Sequence, residues 1–231
     1  MEIPSGESCL QFIFRVSRWA VMGAALCLIL PAILSAQDSS LPCKLTYTKT
    51  LKGSSPEFLS ITVNSNGDAL YEARKLEEPS SSHPLKLSPA TTRRIFQLAE
   101  LMGNFESIDL ESHKKVANLG LKTFVFEKEG RKNQVEFNYT LRRDAQDLVD
   151  LFEKISGVEQ HILALEHAIK YDHLSLPKEL LLIQMDLDKR MLADPELLVP
   201  SLEKIVRNPR FLHLAQARAQ DILARLHNNR D

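Results

Sequence analysis

The segment DAQDLVDLFEKISGVEQHILALEHAIKYD, residues 144–172, decides the fold of this chain. Its aliphatic residues recur at alternating steps of three and four, a heptad pattern that places side chains along one stripe of a helix. The stripe consists of Leu148, Leu151, Ile155, Val158, Ile162, Leu165 and Ile169. Sequence typical of strands precedes this segment, and sequence typical of helices follows it. We therefore expect a long connecting helix, residues 142–172, that is covered by a sheet domain on one side and a helical tail on the other.

Gly157 lies inside this predicted helix. An interior glycine costs about 0.5–1 kcal/mol relative to alanine. The aliphatic stripe nevertheless keeps its phase across Gly157, so we predict one helix rather than two.

The first hairpin is predicted from two alternating apolar runs on either side of Asn66-Gly67, a dipeptide typical of hairpin turns. A two-residue loop would pair apolar with polar residues. A three-residue loop keeps one face apolar by pairing Val63 with Ala69, Ile61 with Tyr71 and Leu59 with Ala73. The pattern therefore predicts a type I turn with Gly67 in the left-handed conformation, closing a bulge.

The second hairpin is predicted around Glu129-Gly130, and here a two-residue loop fits the alternation. It pairs Phe126 with Asn133, Phe124 with Val135 and Lys122 with Phe137. The opposite face would then pair Val125 with Gln134 and Thr123 with Glu136, which suits solvent.

Residues 45–141 together predict an antiparallel sheet of four or five strands with one helix, residues 89–103. Leu45, Tyr47 and Leu51 suggest the first strand, which Lys49 interrupts on the same face. Ser88 should cap the helix, Gly103 should end it, and residues 105–118 should cross irregularly. The buried face of the helix should carry Ile95, Leu98 and Met102. The fold class is therefore α+β.

Residues 173–231 predict a helical tail. Residues 180–183 are apolar on every side of a helix, so we expect that helix to be sandwiched between others. Pro200 should kink the next helix. The inner stripe of the last helix should consist of Leu212, Ala215, Ala219, Ile222 and Leu226.

Several of these features resemble a family of uncharacterised bacterial extracytoplasmic α+β domains. The shared features are the strand at residues 61–63, the Asn66-Gly67 turn, Tyr71, Leu87-Ser88-Pro89, Phe105 and the hairpin at residues 124–137. The resemblance covers residues 57–160 and implies export and the α+β fold, without an activity. Residues 195–227 resemble one HEAT-type helical pair, which would need neighbouring helices to bury its apolar face.

The N-terminus has the pattern of a secretory signal peptide, residues 1–36, followed by a linker, residues 37–44. Arg15 and Arg18 precede an apolar run at residues 19–34, and Ala36 offers a small residue for cleavage. The run is short for a bilayer span, which needs about 20 apolar residues. A secreted or periplasmic protein is therefore expected, and a retained N-terminal membrane anchor is the alternative. Cys43 would be the one cysteine left, so no internal disulfide is expected.

The small net charge of the chain gives no indication of a strongly charged partner such as nucleic acid. The formal net charge is −1, and removal of residues 1–36 deletes two basic and two acidic residues, which leaves it unchanged. We therefore expect no nucleic-acid binding and contact with a membrane only if the N-terminal segment is retained. Four dibasic pairs leave open a basic surface for anionic glycans or lipid headgroups: Arg93-Arg94, Lys114-Lys115, Arg131-Lys132 and Arg142-Arg143.

No catalytic, cofactor-binding or metal-binding residues are predicted. His161, His167 and His173 are six residues apart on helical sequence, a spacing that places them on different faces. Paired cysteines, a His-Glu-x-x-His motif and a nucleophile elbow are absent from the sequence. A compact cluster of acid–base residues consists of Glu106, Asp109, Glu111 and His113 and is most simply a solvated loop.

The sequence therefore favours an exported, non-enzymatic binding module of the cell envelope, whose partner is an unknown protein or envelope component. Its binding surface would be the exposed face of the sheet or the groove between the sheet domain and the tail. One alternative is an extracytoplasmic hydrolase or transferase that uses Asp109, Glu111 and His113. Another is a scaffold that self-associates through the stripe at residues 148–169, if that stripe is exposed.

Overall fold

The computed structural model describes residues 43–228. Within these residues, six strands form one antiparallel sheet in the order β4-β3-β2-β1-β5-β6. The strands are β1 (Cys43–Thr50), β2 (Phe58–Asn64), β3 (Asp68–Arg74), β4 (His83–Lys86), β5 (Leu121–Lys128) and β6 (Arg131–Phe137). The predicted α+β class is confirmed, and the sheet has more strands than the four or five predicted. The predicted signal peptide lies outside the described residues.

Strand β1 lies in the middle of the sheet between β2 and β5. It begins at Cys43 rather than Leu45, because Cys43 and Lys44 already pair with Lys128 and Glu127 of β5. It ends at Thr50, so the prediction that Leu51 belongs to this strand is wrong.

Both predicted hairpin registers are confirmed. In the first, Val63 pairs with Ala69, and Gly67 takes a φ of +89°. In the second, Phe124 pairs with Val135, and Glu129 and Gly130 have φ values of +53° and +76°. These positive φ angles belong to the primed turn that a two-residue hairpin requires.

One face of the sheet holds the core, because the strands alternate between apolar and polar side chains. Buried positions on this face include Leu45, Tyr47, Ile61, Val63, Tyr71, Phe124 and Phe137. The opposite face carries hydroxyl side chains, among them Thr46 and Thr62, whose oxygens lie 3.0 Å apart.

Helix α1 (Pro89–Leu101) covers part of the buried face. The Ser88 hydroxyl accepts a hydrogen bond from the Thr91 amide at 3.1 Å, as the N-cap prediction requires. Gly103 follows the helix with a φ of +63°. Asn104 and Phe105 also take positive φ values of 50° and 63°, which the sequence pattern does not predict.

Helix α2 (Arg143–Tyr171) runs through Gly157 without a break. Its stripe is buried in two clusters: Leu148 and Ile155 pack with the sheet, whereas Val158 and Leu165 pack with the tail. Phe152 is also fully buried and stacks on Tyr47 with ring centroids 5.0 Å apart. The buried face of α2 is therefore wider than the predicted stripe.

The tail contains α3 (Leu176–Asp188), a 3-10 turn (Pro195–Leu198), α4 (Val199–Arg207) and α5 (His213–Asn228). The prediction that α3 is sandwiched is wrong. Leu176, Leu180 and Ile183 are buried, but the other side of the helix exposes Leu181, Leu182 and Met185 by about two fifths. Helix α3 packs against α2 and α5, and these contacts leave that side partly exposed.

Two further predictions about the tail are corrected. Pro200 does not kink a helix, because it occupies the first turn of α4, where its missing N–H and fixed φ are tolerated. Leu212 does not belong to the inner stripe of α5, since it precedes the helix and is 48% exposed, and Phe211 is buried instead. The other four stripe residues are buried as predicted: Ala215, Ala219, Ile222 and Leu226.

Asp194 ties the tail to α1. Its carboxylate accepts hydrogen bonds from the Ser88 amide, the Ser88 hydroxyl and the Thr91 hydroxyl at 2.7, 2.8 and 2.6 Å. A carboxylate at a helix N-terminus also interacts favourably with the helix dipole. Among the helices of residues 43–228, none is both long and apolar enough to cross a membrane.

Candidate binding groove

A groove of about 400 Å³ lies between the ends of β1, β5 and β6 and the first half of α2. We call it the α2 groove. The residues that form its polar and apolar surfaces include Lys49, Lys122, Phe137, Tyr139, Val149, Asp150 and Glu153.

The two lysines enter the groove because of the sheet register. Lys49 follows Tyr47 on the buried face of β1, and Lys122 precedes Phe124 on the buried face of β5. Lys49 and Lys122 are direct partners in the β1–β5 ladder. Like charges directly opposite each other destabilise a sheet unless they are compensated.

Glu153 of α2 supplies part of that compensation. Its Oε1 atom accepts hydrogen bonds from the Lys49 ammonium at 2.8 Å and from the Tyr47 hydroxyl at 3.0 Å. Burial, and then the charge of Glu153, raise the pKa of Tyr47. Tyr47 therefore remains a hydrogen-bond donor, and the three side chains hold α2 against the edge of the core.

Lys122 is compensated differently. Its ammonium donates to the carbonyl oxygens of Leu119, Gly120 and Asn138 at 3.3, 3.2 and 2.9 Å. Burial, and then the charge of Lys49, lower the pKa of Lys122. Its three N–H groups are thus all directed at the backbone, so Lys122 is a structural residue rather than a poised nucleophile.

Lys49 is the cationic groove residue that keeps donors available for a ligand. An ammonium has three N–H donors, and within the described residues Glu153 accepts from this one. The Lys49 side chain retains about a quarter of its exposure. Together with the neighbouring apolar wall of Phe137 and Val149, it could bind a group that carries an acceptor beside apolar surface.

The predicted acid–base cluster does not line this groove. The Asp109 carboxylate and the His113 ring lie 2.7 Å apart, and both side chains are at least two thirds exposed. Their hydrogen bond raises the pKa of His113 and lowers that of Asp109. Glu111 instead accepts from the Asn138 amide at 2.6 Å, which lowers its pKa and fixes the loop.

The remaining candidates are dispersed. His161 faces Asp186 at 3.0 Å, whereas His173 packs edge-on against Phe211. Within residues 43–228, no group of three or more His, Cys, Asp or Glu residues could hold a metal ion. The four dibasic pairs lie on α1, the crossing loop, β6 and the start of α2. They therefore belong to four different elements.

The sequence carries one signal of this site but does not predict the groove. Lys49 interrupts an apolar strand face, and the predicted register places Lys122 opposite Phe137. The sequence does not reveal that Glu153 pairs with Lys49, because Glu153 comes about 100 residues later in the chain. No protein-family model matches the chain, and no curated protein matches it.

Proposed function

We propose that this chain is an exported, non-enzymatic binding module of the cell envelope and that the α2 groove holds its partner. The observation that supports this is the Lys49 side chain, about a quarter exposed beside an apolar wall, on elements that Glu153 and Tyr47 hold together. A fixed cation next to apolar surface is typical of a recognition site.

The same geometry favours binding over hydrolysis or transfer. Acid–base catalysis needs its groups within reach of one substrate position, usually in a cleft that excludes water. Asp109 and His113 are paired on an exposed loop, and Glu111 is committed to a backbone amide. Self-association through the α2 stripe is disfavoured as well, because Leu148 and Ile155 are completely buried.

The groove can be blocked without disturbing the core. Asp150 lines the groove with a side chain that is 74% exposed, so Asp150→Trp should fill the space and leave the fold intact. Glu166→Trp introduces the same side chain at an exposed position later in α2 and serves as the control. Affinity capture of envelope components by the full chain, followed by mass spectrometry, should show partners lost with Asp150→Trp and kept with Glu166→Trp. Equal capture by both variants would refute the proposal that the partner binds in the α2 groove.

Export is part of the proposal, supported by the N-terminal pattern and by the resemblance to extracytoplasmic domains. N-terminal sequencing of the protein recovered from the producing cell should find Gln37 as the first residue. A membrane-bound chain that keeps residues 19–34 would instead indicate the anchor alternative. Recovery from the cytoplasm with those residues present would refute export.

A further inference from the structure

Strand β6 forms one edge of the sheet, and only a short segment of it has backbone groups free to pair with another strand. In a two-residue hairpin, Lys128 and Arg131 exchange backbone hydrogen bonds, and the direction of the backbone groups then alternates along the strand. The N–H and C=O groups of Lys132, Gln134 and Glu136 therefore point away from β5. Within residues 43–228, no hydrogen bond is made to these outward groups.

Both ends of this open edge are closed. At one end the chain turns at Glu129-Gly130. At the other, the Asn138 amide donates to Glu111 at 2.6 Å, and the Tyr139 carbonyl accepts from the Ser112 amide at 2.8 Å. The Asn138 contact lies on the same outward side as Lys132, Gln134 and Glu136. A three-residue opening centred on Gln134 remains.

The opposite edge of the sheet is different. Strand β4 has four residues, and Pro84 removes one backbone donor from it. Short edge strands and prolines are the usual means by which proteins prevent pairing with other chains. Strand β6 has seven residues without proline, so it is the edge that remains competent to pair.

The side chains on β6 are complementary to themselves. In an antiparallel pair with Gln134 opposite Gln134, each Lys132 lies opposite the Glu136 of the second copy. Opposite charges facing each other across two strands stabilise the pairing, and a twofold axis repeats the contact. Lys132, Gln134 and Glu136 are all exposed on the solvent face.

We propose that two copies of this chain pair antiparallel through β6, with a twofold axis at Gln134, to form one continuous sheet. The three outward residues of each strand supply about six backbone hydrogen bonds. Gln134 donates to Glu136 Oε1 at 3.0 Å within one copy, which leaves the Oε2 atom of Glu136 for the Lys132 ammonium of the second copy.

Room for this pairing exists on the buried side of the sheet. A cavity of about 280 Å³ lies beside β6 and is lined by Gly103, Asn104, Glu106, Arg131 and Asn133. In the proposed register, Asn133 of one copy lies opposite Val135 of the other, so the cavity receives side chains from the second copy.

Charge reversal tests the pairing directly. Light scattering after gel filtration of the purified full chain at about 100 µM should give a dimer, since a Kd of about 10 µM would suffice. Glu136→Lys and Lys132→Glu should each raise the dimer Kd about tenfold or more, because each places like charges opposite one another twice. The double variant Lys132→Glu/Glu136→Lys restores opposite charges and should restore the dimer.

The control is Glu100→Lys, which makes the same charge change on the exposed side of α1 and should leave the dimer intact. A monomeric wild-type chain at this concentration would overturn the proposal. So would a dimer that survives Glu136→Lys, or a double variant that stays monomeric while its circular dichroism matches that of the wild type. Rescue by the double variant separates pairing through β6 from a general loss of folding.

Discussion

Glu159 is a carboxyl residue in an environment that disfavours its charged form. It lies on the buried face of α2 with 5% of its surface exposed. Burial, and then the charge of Glu166, raise the pKa of Glu159 from its ordinary value of 4.5 to about 7. A carboxyl that is largely removed from water resists ionisation because water solvates its charge better than the protein does.

The sign of the resulting pH dependence follows from linkage. Between pH 4.5 and about 7 the unfolded chain releases the Glu159 proton while the folded chain keeps it, so stability falls as pH rises. We expect Glu159→Gln to match the wild type near pH 4 and to be more stable by about 1–3 kcal/mol at pH 8. Urea unfolding at both pH values measures the difference.

Glu100→Gln, at an exposed position of α1, provides the control and should change stability equally little at both pH values. A pH-independent difference between wild type and Glu159→Gln would show that Glu159 ionises normally in the folded protein.

At the scale of a single turn, a comparison of Gly67 with Gly130 separates the effect of backbone strain from that of a steric clash. Its φ of +89° disfavours any other residue, and a Cβ there would lie 3.0 Å from both the Leu87 carbonyl oxygen and the Thr92 hydroxyl. Gly130 has a φ of +76° and nothing within 4 Å of such a Cβ. Gly67 therefore combines backbone strain with a clash, whereas Gly130 has the strain alone.

We predict that Gly130→Ala lowers the free energy of unfolding by about 1 kcal/mol and that Gly67→Ala lowers it by about 2–3 kcal/mol. Thermal unfolding of both variants gives the comparison. If the two losses are equal, the close contacts of Gly67 with Leu87 and Thr92 contribute nothing to stability.

Gly157 in the middle of α2 should behave in the opposite way. Its φ is helical, and an added Cβ would lie 3.4 Å from Leu192 Cδ2 and 3.7 Å from the Met191 carbonyl oxygen. These are van der Waals distances, so Gly157→Ala should stabilise the chain by about 0.5–1 kcal/mol through helix propensity. A larger side chain would meet residues 191–192, and Gly157→Leu should therefore destabilise it. Chemical denaturation of both variants tests the two signs.

The elements show which parts of the fold could be predicted and why. The hairpin registers followed from the apolar alternation, because a slip by one residue would turn every apolar side chain outward. The exposed side of α3 could not be predicted, since apolar composition does not reveal that neighbours are missing. Likewise, the role of Asp194 could not be predicted, because its carboxylate binds Ser88 at the start of α1, about 100 residues earlier in the chain.

The whole molecule depends on α2, which belongs to both hydrophobic clusters. Leu148 packs in the cluster of the sheet and Leu165 in that of the tail, and each is fully buried. Further links cross between the two parts: the Asp194 contacts with Ser88 and Thr91, and the hydrogen bond from the Ala193 amide to the Lys154 carbonyl at 3.4 Å. Residues 43–228 lie within one compact unit by their contacts.

If this unit unfolds cooperatively, damage to one cluster must weaken the other. We expect Leu148→Ala and Leu165→Ala each to cost about 2–5 kcal/mol through the cavity that it creates. Native-state hydrogen exchange should then show that each variant lowers the protection of both β1 and α5, because the most protected amides exchange through global unfolding. Leu101→Ala, at a position 59% exposed, should change neither. A different result would be loss of protection confined to β1 in Leu148→Ala and to α5 in Leu165→Ala. It would mean that the sheet and the tail unfold separately and that α2 breaks near Gly157.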